Sequence, residues 1–233
     1  MPRRLLYLPG LAGDPGESPV LASLRADGWD VVHVSVPGFD GAPGFSAPDT
    51  YLDWLTIVWD AIDATHVTPC PMVGASVGGM LAAEFAIFRP EAVTALVLLA
   101  PFGIADENNL GVDIYALPAA ERVGHLFAKG VPAPFVDRFA EKGAEEAPVA
   151  RYLCDIAAAS LVWPIGDRGT ANRLHRLRCP RLVIWGEQDE LLPAELAARW
   201  GGTDVIAGAG HLLEWDTPDE VTARVRPFLA ATS

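Results

Sequence analysis

Pro71-Met72-Val73-Gly74-Ala75-Ser76-Val77-Gly78-Gly79-Met80-Leu81 is the stretch on which the reading of this chain turns. An apolar run at 71–73 meets a helix-like run at 77–89, with one serine at the corner. So tight a passage from strand to helix holds the corner residue in strained backbone, and the positions two before and two after it need almost no side chain. Gly74 and Gly78 meet that demand. The expected shape is a nucleophile elbow. It lifts the Ser76 hydroxyl above the sheet and aims the unpaired N–H groups of a helix N-terminus at negative charge forming beside it. A Gly-x-Ser-x-Gly string arises by chance in about six chains of this composition per hundred, so partners elsewhere must support it.

A serine hydroxyl attacks poorly until an imidazole takes its proton, and the imidazole needs a carboxylate to hold its tautomer. Asp189 ends the segment Leu182-Val183-Ile184-Trp185-Gly186-Glu187-Gln188-Asp189, an apolar run followed by a polar turn. His211 stands in Ala207-Gly208-Ala209-Gly210-His211, after the short apolar run Asp204-Val205-Ile206. All three residues then fall on loops beyond strand ends, where parallel α/β sheets hold ligands. Glu187 and Asp106 are rival acids, Asp106 because it follows the preceding strand. His33 sits in an alternating valine strand, His66 at a helix end, His125 in mid-chain and His175 among arginines; these four read as structural or solvated.

Taken together, Leu8-Pro9-Gly10-Leu11, Val36-Pro37-Gly38-Phe39-Asp40-Gly41, the Ser76 elbow, Arg89-Pro90-Glu91-Ala92-Val93, Trp185 to Asp189 and Gly210-His211 resemble the α/β-hydrolase superfamily. The likeness spans nearly the whole chain except the middle. Within the superfamily it is similar to the capped esterases and the carbon–carbon bond hydrolases of meta-cleavage products. The resemblance implies the chain order Ser76, Asp189, His211, and an oxyanion hole built from the backbone N–H groups of Leu11 and Val77. Pro9 stands where the family usually has His before Gly10, which leaves the Leu11 amide available but removes its usual neighbour.

Ser76 would attack a carbonyl with His211 as base and Asp189 steadying the ring, and water would then release the acyl group. Three readings follow. The first is hydrolysis of a carboxylic ester or lactone. The second is carbon–carbon bond hydrolysis or perhydrolase activity with the same triad, and the third a non-hydrolytic ligand-binding or biosynthetic pocket on the same fold. Epoxide hydrolases and haloalkane dehalogenases use an aspartate nucleophile, whereas this elbow presents Ser76. Neither a metal nor an organic cofactor is expected: zinc-type ligand spacing and phosphate-binding glycine motifs are both missing.

With 233 residues, 51% of them hydrophobic, one domain can bury about 70–75% of the surface of its unfolded chain. The formal charge of −13 disfavours nucleic-acid and anionic-membrane partners, leaving a small-molecule substrate as the expected partner. The three cysteines read as small buried hydrophobes in a reducing compartment, and a cytoplasmic location is expected. Arg3-Arg4 before Leu5-Leu6-Tyr7-Leu8 is too short for a signal peptide because Pro9-Gly10 ends the apolar run.

The expected architecture is α/β: a doubly wound sheet of about six parallel strands, without the antiparallel hairpin that usually opens this fold. Strands are expected at 5–8, 31–36, 72–75, 94–100, 181–185 and 204–207, with helices at 50–64, capped by Asp49, and at 218–230. Trp54 and Trp59 read as packing anchors. Residues 1–101 and 176–233 would form the core, and 102–175 a helical cap with helical stretches at 119–129 and 149–160. The cap's inner face would form a largely apolar pocket suited to a small hydrophobic substrate. Expected wall residues are Phe102, Leu126, Phe127, Phe135 and Phe139 from the insertion. Gly10, Trp163, Trp185 and Leu212 complete the set.

Overall fold

The computed structural model describes residues 3–136 and 138–232, so the outermost residues of the expected core lie outside the described residues. Six strands form one sheet: β1 (Arg3–Leu8), β2 (Trp29–His33), β3 (Cys70–Ala75), β4 (Val93–Leu99), β5 (Arg181–Gly186) and β6 (Asp204–Ile206). Their order is β2-β1-β3-β4-β5-β6 and every pairing is parallel. The central strands β3 and β4 are buried almost without interruption, as near-continuous apolar runs must be when helices cover both faces. Each fully buried leucine there contributes about 2 kcal/mol relative to exposure.

The order reverses between β1 and β3, because β2 lies on one side of β1 and all later strands on the other. A crevice opens at the carboxyl ends of strands at such a switch point. The loop after β1 and the elbow after β3 therefore face each other.

Sequence and structure differ at several ends. β2 runs over Trp29–His33 rather than 31–36. Only one further bond, from Val34 N–H to the Tyr7 carbonyl at 2.8 Å, extends the ladder before a turn closes from Phe39 N–H to Val36. Helix α1 (Pro19–Ala26) was not expected, although Ser18-Pro19 is a strong start signal; the Ser18 hydroxyl accepts the Leu21 N–H at 3.3 Å. Helix α2 (Tyr51–Asp63) is capped by Thr50, not Asp49, since the Thr50 hydroxyl accepts the Asp53 N–H at 3.2 Å. Trp54 is buried against Phe39 and Phe45, and Trp59 packs on Phe85 and Phe88.

Helix α3 (Val77–Phe88) follows the elbow and is buried along nearly its whole length. Between β4 and β5 the chain forms short helices α4 (Ala119–Arg122) and α5 (Ala133–Val136), the long α6 (Gly143–Val162) and several 3₁₀ turns. The single helix expected at 119–129 does not form. After α4 the chain tightens into a 3₁₀ turn, Val123–Leu126, because the Leu126 carbonyl must accept the Leu212 N–H at 3.0 Å and Asp216 takes the N–H groups of Ala128 and Lys129. Helix α6 starts six residues before the expected 149 and carries Pro148 inside it. The chain ends in α7 (Leu196–Arg199), α8 (Leu213–Asp216) and α9 (Pro218–Ala231). Cys70 and Cys154 are buried, whereas Cys179 is half-buried; burial pushes the Cys70 thiol up to about 12. Among the described residues no helix is long and apolar enough to cross a membrane.

Candidate active site

Ser76 has φ 55° and ψ −124°, the strained left-handed backbone that the glycine-flanked corner implies. A Cβ on Gly78 would strike the carbonyls of Leu8 and Pro9, so the end of β1 presses directly on the first turn of α3. A Cβ on Gly10 would lie 3.1 Å from the Ser76 Cβ and 2.9 Å from Leu212 Cδ2. Those absent side chains let the loop after β1 reach the serine.

Three loops then converge. His211 Nε2 lies 2.7 Å from Ser76 Oγ, and His211 Nδ1 lies 2.8 Å from Asp189 Oδ2. Ser76 and His211 are wholly buried and Asp189 nearly so. Asp189 is held from behind: its Oδ1 accepts the N–H groups of Leu191 and Leu192, each at 2.9 Å. The Trp185 indole N–H ties the same loop down through the Leu192 carbonyl at 2.8 Å. Gln188 N–H donates to the Ala209 carbonyl at 2.9 Å and so joins the acid loop to the histidine loop. Phe102 stands edge-on to the imidazole, with centroids 5.5 Å apart. Neither rival acid reaches the ring: Glu187 is exposed, and Asp106 accepts the Asn108 N–H in its own turn. His33 pairs with Asp14 and His125 with Glu190, away from the serine.

The backbone N–H groups of Leu11 and Val77 donate to no acceptor among the described residues. Both belong to the segments that meet at the switch point. Such free N–H groups, fixed beside a nucleophile, are suited to receive an oxyanion.

A narrow cavity of about 40 Å³ lies under the insertion and reaches Leu11. Of the nine expected wall residues, Leu126, Phe135 and Phe139 line it. Gly10 and Leu212 instead pack close at Ser76, Phe102 meets His211, and Phe127 stacks edge-on against Phe135 at 4.9 Å. Trp185 is fully buried behind the acid loop. Trp163 is 55% exposed, its indole N–H donated to Asp113 at 3.2 Å. Most of the lining is apolar, and Arg122, Arg138, Arg151 and Asp155 add charge to the same wall. Arg122 comes from α4, Arg151 and Asp155 from α6, and Arg138 from the turn before the 3₁₀ segment Ala140–Lys142. Among the described residues no group of three or more His, Cys, Asp or Glu could hold a metal ion.

Three supporting groups escaped the sequence. Asp216 accepts Gly210 N–H at 2.7 Å, Ala128 N–H at 2.8 Å and Lys129 N–H at 3.2 Å. Glu84, fully buried in α3, accepts the Thr170 hydroxyl at 2.8 Å and a two-pronged pairing from Arg173, which anchors the return of the insertion to the nucleophile helix. Glu214, buried three residues after His211, accepts the Tyr7 hydroxyl at 3.4 Å. The one available signal was an acidic residue in an otherwise apolar helix, Glu84.

Residues 5–225 match the sequence model described as the alpha/beta hydrolase family. The chain is 27% identical over 240 residues to the dihydrolipoyllysine-residue acetyltransferase component of an acetoin cleaving system from Cupriavidus necator, covering 97% of this chain and 63% of that protein. It therefore spans less than two thirds of that relative. It is 23% identical over 225 residues to a 2-hydroxy-6-oxononadienedioate/2-hydroxy-6-oxononatrienedioate hydrolase from a Pseudomonas species, covering 87% and 78% of the two chains. The crystal structure of a membrane phospholipase A superposes with a TM-score of 0.80 at 20% identity, over 99% of this chain and 79% of that one. With the parallel six-stranded sheet, the serine elbow and a family match over nearly its full length, this chain belongs to the alpha/beta hydrolase family of enzymes.

Proposed function

We propose that this chain is a serine hydrolase that cleaves a carboxylic ester or lactone through an acyl-Ser76 intermediate. The observation that carries the reading is the unbroken chain from Ser76 Oγ through His211 to Asp189, at 2.7 and 2.8 Å. With the Nδ1 hydrogen given to Asp189, Nε2 accepts the Ser76 proton as Oγ bonds to the carbonyl carbon. The carbonyl oxygen becomes an oxyanion held by the N–H groups of Leu11 and Val77. His211 then passes its proton to the leaving oxygen. Water, deprotonated by the same nitrogen, splits the acyl-enzyme and regenerates the serine.

Residues 102–175 act in this reading as a cap. Because the Ser76 hydroxyl is wholly buried, substrate enters when the cap moves, and closure excludes bulk water. A second reading is carbon–carbon bond hydrolysis with the same residues. It is favoured by the similarity to the hydrolase of 2-hydroxy-6-oxononadienedioate. The test is a fluorophosphonate label followed by mass mapping, with turnover measured on esters and on a vinylogous 1,5-diketone. Labelling at Ser76 with ester turnover supports the first reading, a strong preference for the diketone the second. No label at Ser76 removes both.

A further inference from the structure

The cavity under α4–α6 holds three guanidiniums, those of Arg122, Arg138 and Arg151, against a single carboxylate, Asp155. Arg122 pairs with Asp155 at 3.1 Å. Arg138 and Arg151 have no carboxylate partner among the described residues. Arg138 gives one nitrogen to the Phe39 carbonyl, also hydrogen-bonds the Cys154 side chain, and lies over the Phe139 ring, 4.4 Å from its centroid. Arg151 gives one nitrogen to the carbonyl of Arg138 at 3.2 Å, with longer contacts to Phe135 and Val136. Each guanidinium has five N–H donors in a rigid fork, so most of this donor capacity is unused by the protein. Burial pushes the Asp155 carboxyl up, against the pull of Arg122, Arg151 and Arg138, which places all three cations around it. Asp155 alone cannot neutralise them.

On its outer side Arg138 borders clefts lined by Asp14, Asp40 and Glu141, whereas inside the cavity three guanidiniums face one carboxylate, an imbalance that is costly for part-buried cations. The aromatic stack and the carbonyl contacts hold two forks in fixed orientation, which suits a planar carboxylate. The same cavity reaches Leu11, which follows Gly10, the residue packed close against Ser76.

We propose that the cap cavity binds a carboxylate carried on the acyl part of the substrate, so that the preferred substrates are monoesters of dicarboxylic acids, with Arg138 and Arg151 as the specificity-determining residues. The proposal rests on the reading of Ser76 as the nucleophile of an ester hydrolase. The reacting carbonyl sits at Ser76 and Leu11, and the second carboxylate lodges between the two guanidiniums as the cap closes. The step balances: the ester bond breaks, the alcohol leaves with the proton passed on by His211, water supplies the hydroxyl that splits the acyl-Ser76 bond, and the dicarboxylic acid is released.

The experiment compares kcat/KM for monomethyl adipate and monomethyl suberate with that for methyl hexanoate and methyl octanoate, in wild type and in Arg151→Gln, Arg138→Gln and Arg151→Lys. The anionic-to-neutral ratio is read within each protein, so loss of folded enzyme cancels. Wild type should favour the half-esters at least tenfold, Arg151→Gln and Arg138→Gln should each cut the ratio about tenfold, and Arg151→Lys should restore part of it. Calorimetry with adipate gives a readout that needs no turnover: binding should weaken with salt and fall in both Gln variants. A wild type that binds adipate in this way but hydrolyses no ester keeps the carboxylate site and sinks the hydrolase reading. One that hydrolyses methyl hexanoate yet neither prefers half-esters nor binds adipate overturns the proposal and leaves the hydrolase reading intact.

Discussion

The carboxylate of Asp216 accepts the backbone N–H of Ala128 at 2.8 Å, across 88 residues of chain. The same oxygen takes the N–H of Gly210, next to the imidazole, at 2.7 Å. One acceptor thus couples the covering segment to the loop that aims His211. Asp216→Ala strands these N–H groups together with that of Lys129, and each buried donor left unpaired costs about 1–3 kcal/mol. Guanidinium denaturation should show a loss of about 2–4 kcal/mol, accompanied by a fall in kcat as the imidazole loses its fixed position. An Asp216→Ala variant as stable as wild type would show that the latch is ornamental.

Asp189→Asn separates orientation from shape. Asparagine can still accept the Leu191 and Leu192 N–H groups through its carbonyl oxygen, but it presents an amide N–H₂ to the imidazole and selects the wrong tautomer. Ester turnover should drop by about 10⁴ while the melting temperature stays near that of wild type. Full activity in this variant would move the acid role to another residue.

Gly10→Ala tests the proposed oxyanion loop. The new methyl would crowd Ser76 Cβ at 3.1 Å and Leu212 Cδ2 at 2.9 Å, pushing the Leu11 N–H away from the developing charge. Loss of one such donor costs about 3 kcal/mol in the transition state. Steady-state kinetics should show kcat lowered by about 10²-fold with KM little changed. A change confined to KM would instead place Gly10 in ground-state binding.

Glu214 supplies a pH signature. Burial pushes its carboxyl up to about 7 from an ordinary 4.5, more than its backbone hydrogen bond, the nearby His211 and the Tyr7 hydroxyl pull it down. Between these two values the folded state holds a proton that the unfolded chain has released, so stability falls as pH rises from about 4.5 to about 7 and then levels. The span corresponds to an upper bound on the order of 3 kcal/mol. Glu214→Gln should remove that slope, so denaturation midpoints of the two proteins, compared at pH 5 and pH 8, should diverge at the higher pH in favour of the glutamine variant. Parallel pH profiles would show that Glu214 does not titrate in this range.

Much of the fold was legible because it rests on local signals. The apolar runs of β3 and β4 are long, dense and bounded by turn residues, and such runs are what a doubly covered parallel strand requires. Glycine at 74 and 78 announces a corner where side chains cannot fit. What local signals could not carry was any element whose shape answers to a distant partner. The stretch 119–129 has helical composition, yet Leu212 and Asp216 claim its backbone groups and draw the chain out of the helix. Thr50 rather than Asp49 caps α2 because two adjacent residues were both competent and only the backbone path chose between them.

Residue order and spacing alone determined that this chain makes a parallel α/β sheet with a strained serine at its centre, since strand burial and glycine clearance are properties of neighbouring residues. Tertiary structure alone decided that His211 comes within hydrogen-bond distance of both that serine and Asp189, that Trp163 turns to solvent, and that three arginines of the insertion gather at one cavity. Those relations join residues far apart in the chain. They are set by how helices and loops pack over the sheet edge, where no short-range pattern records which side chain faces which.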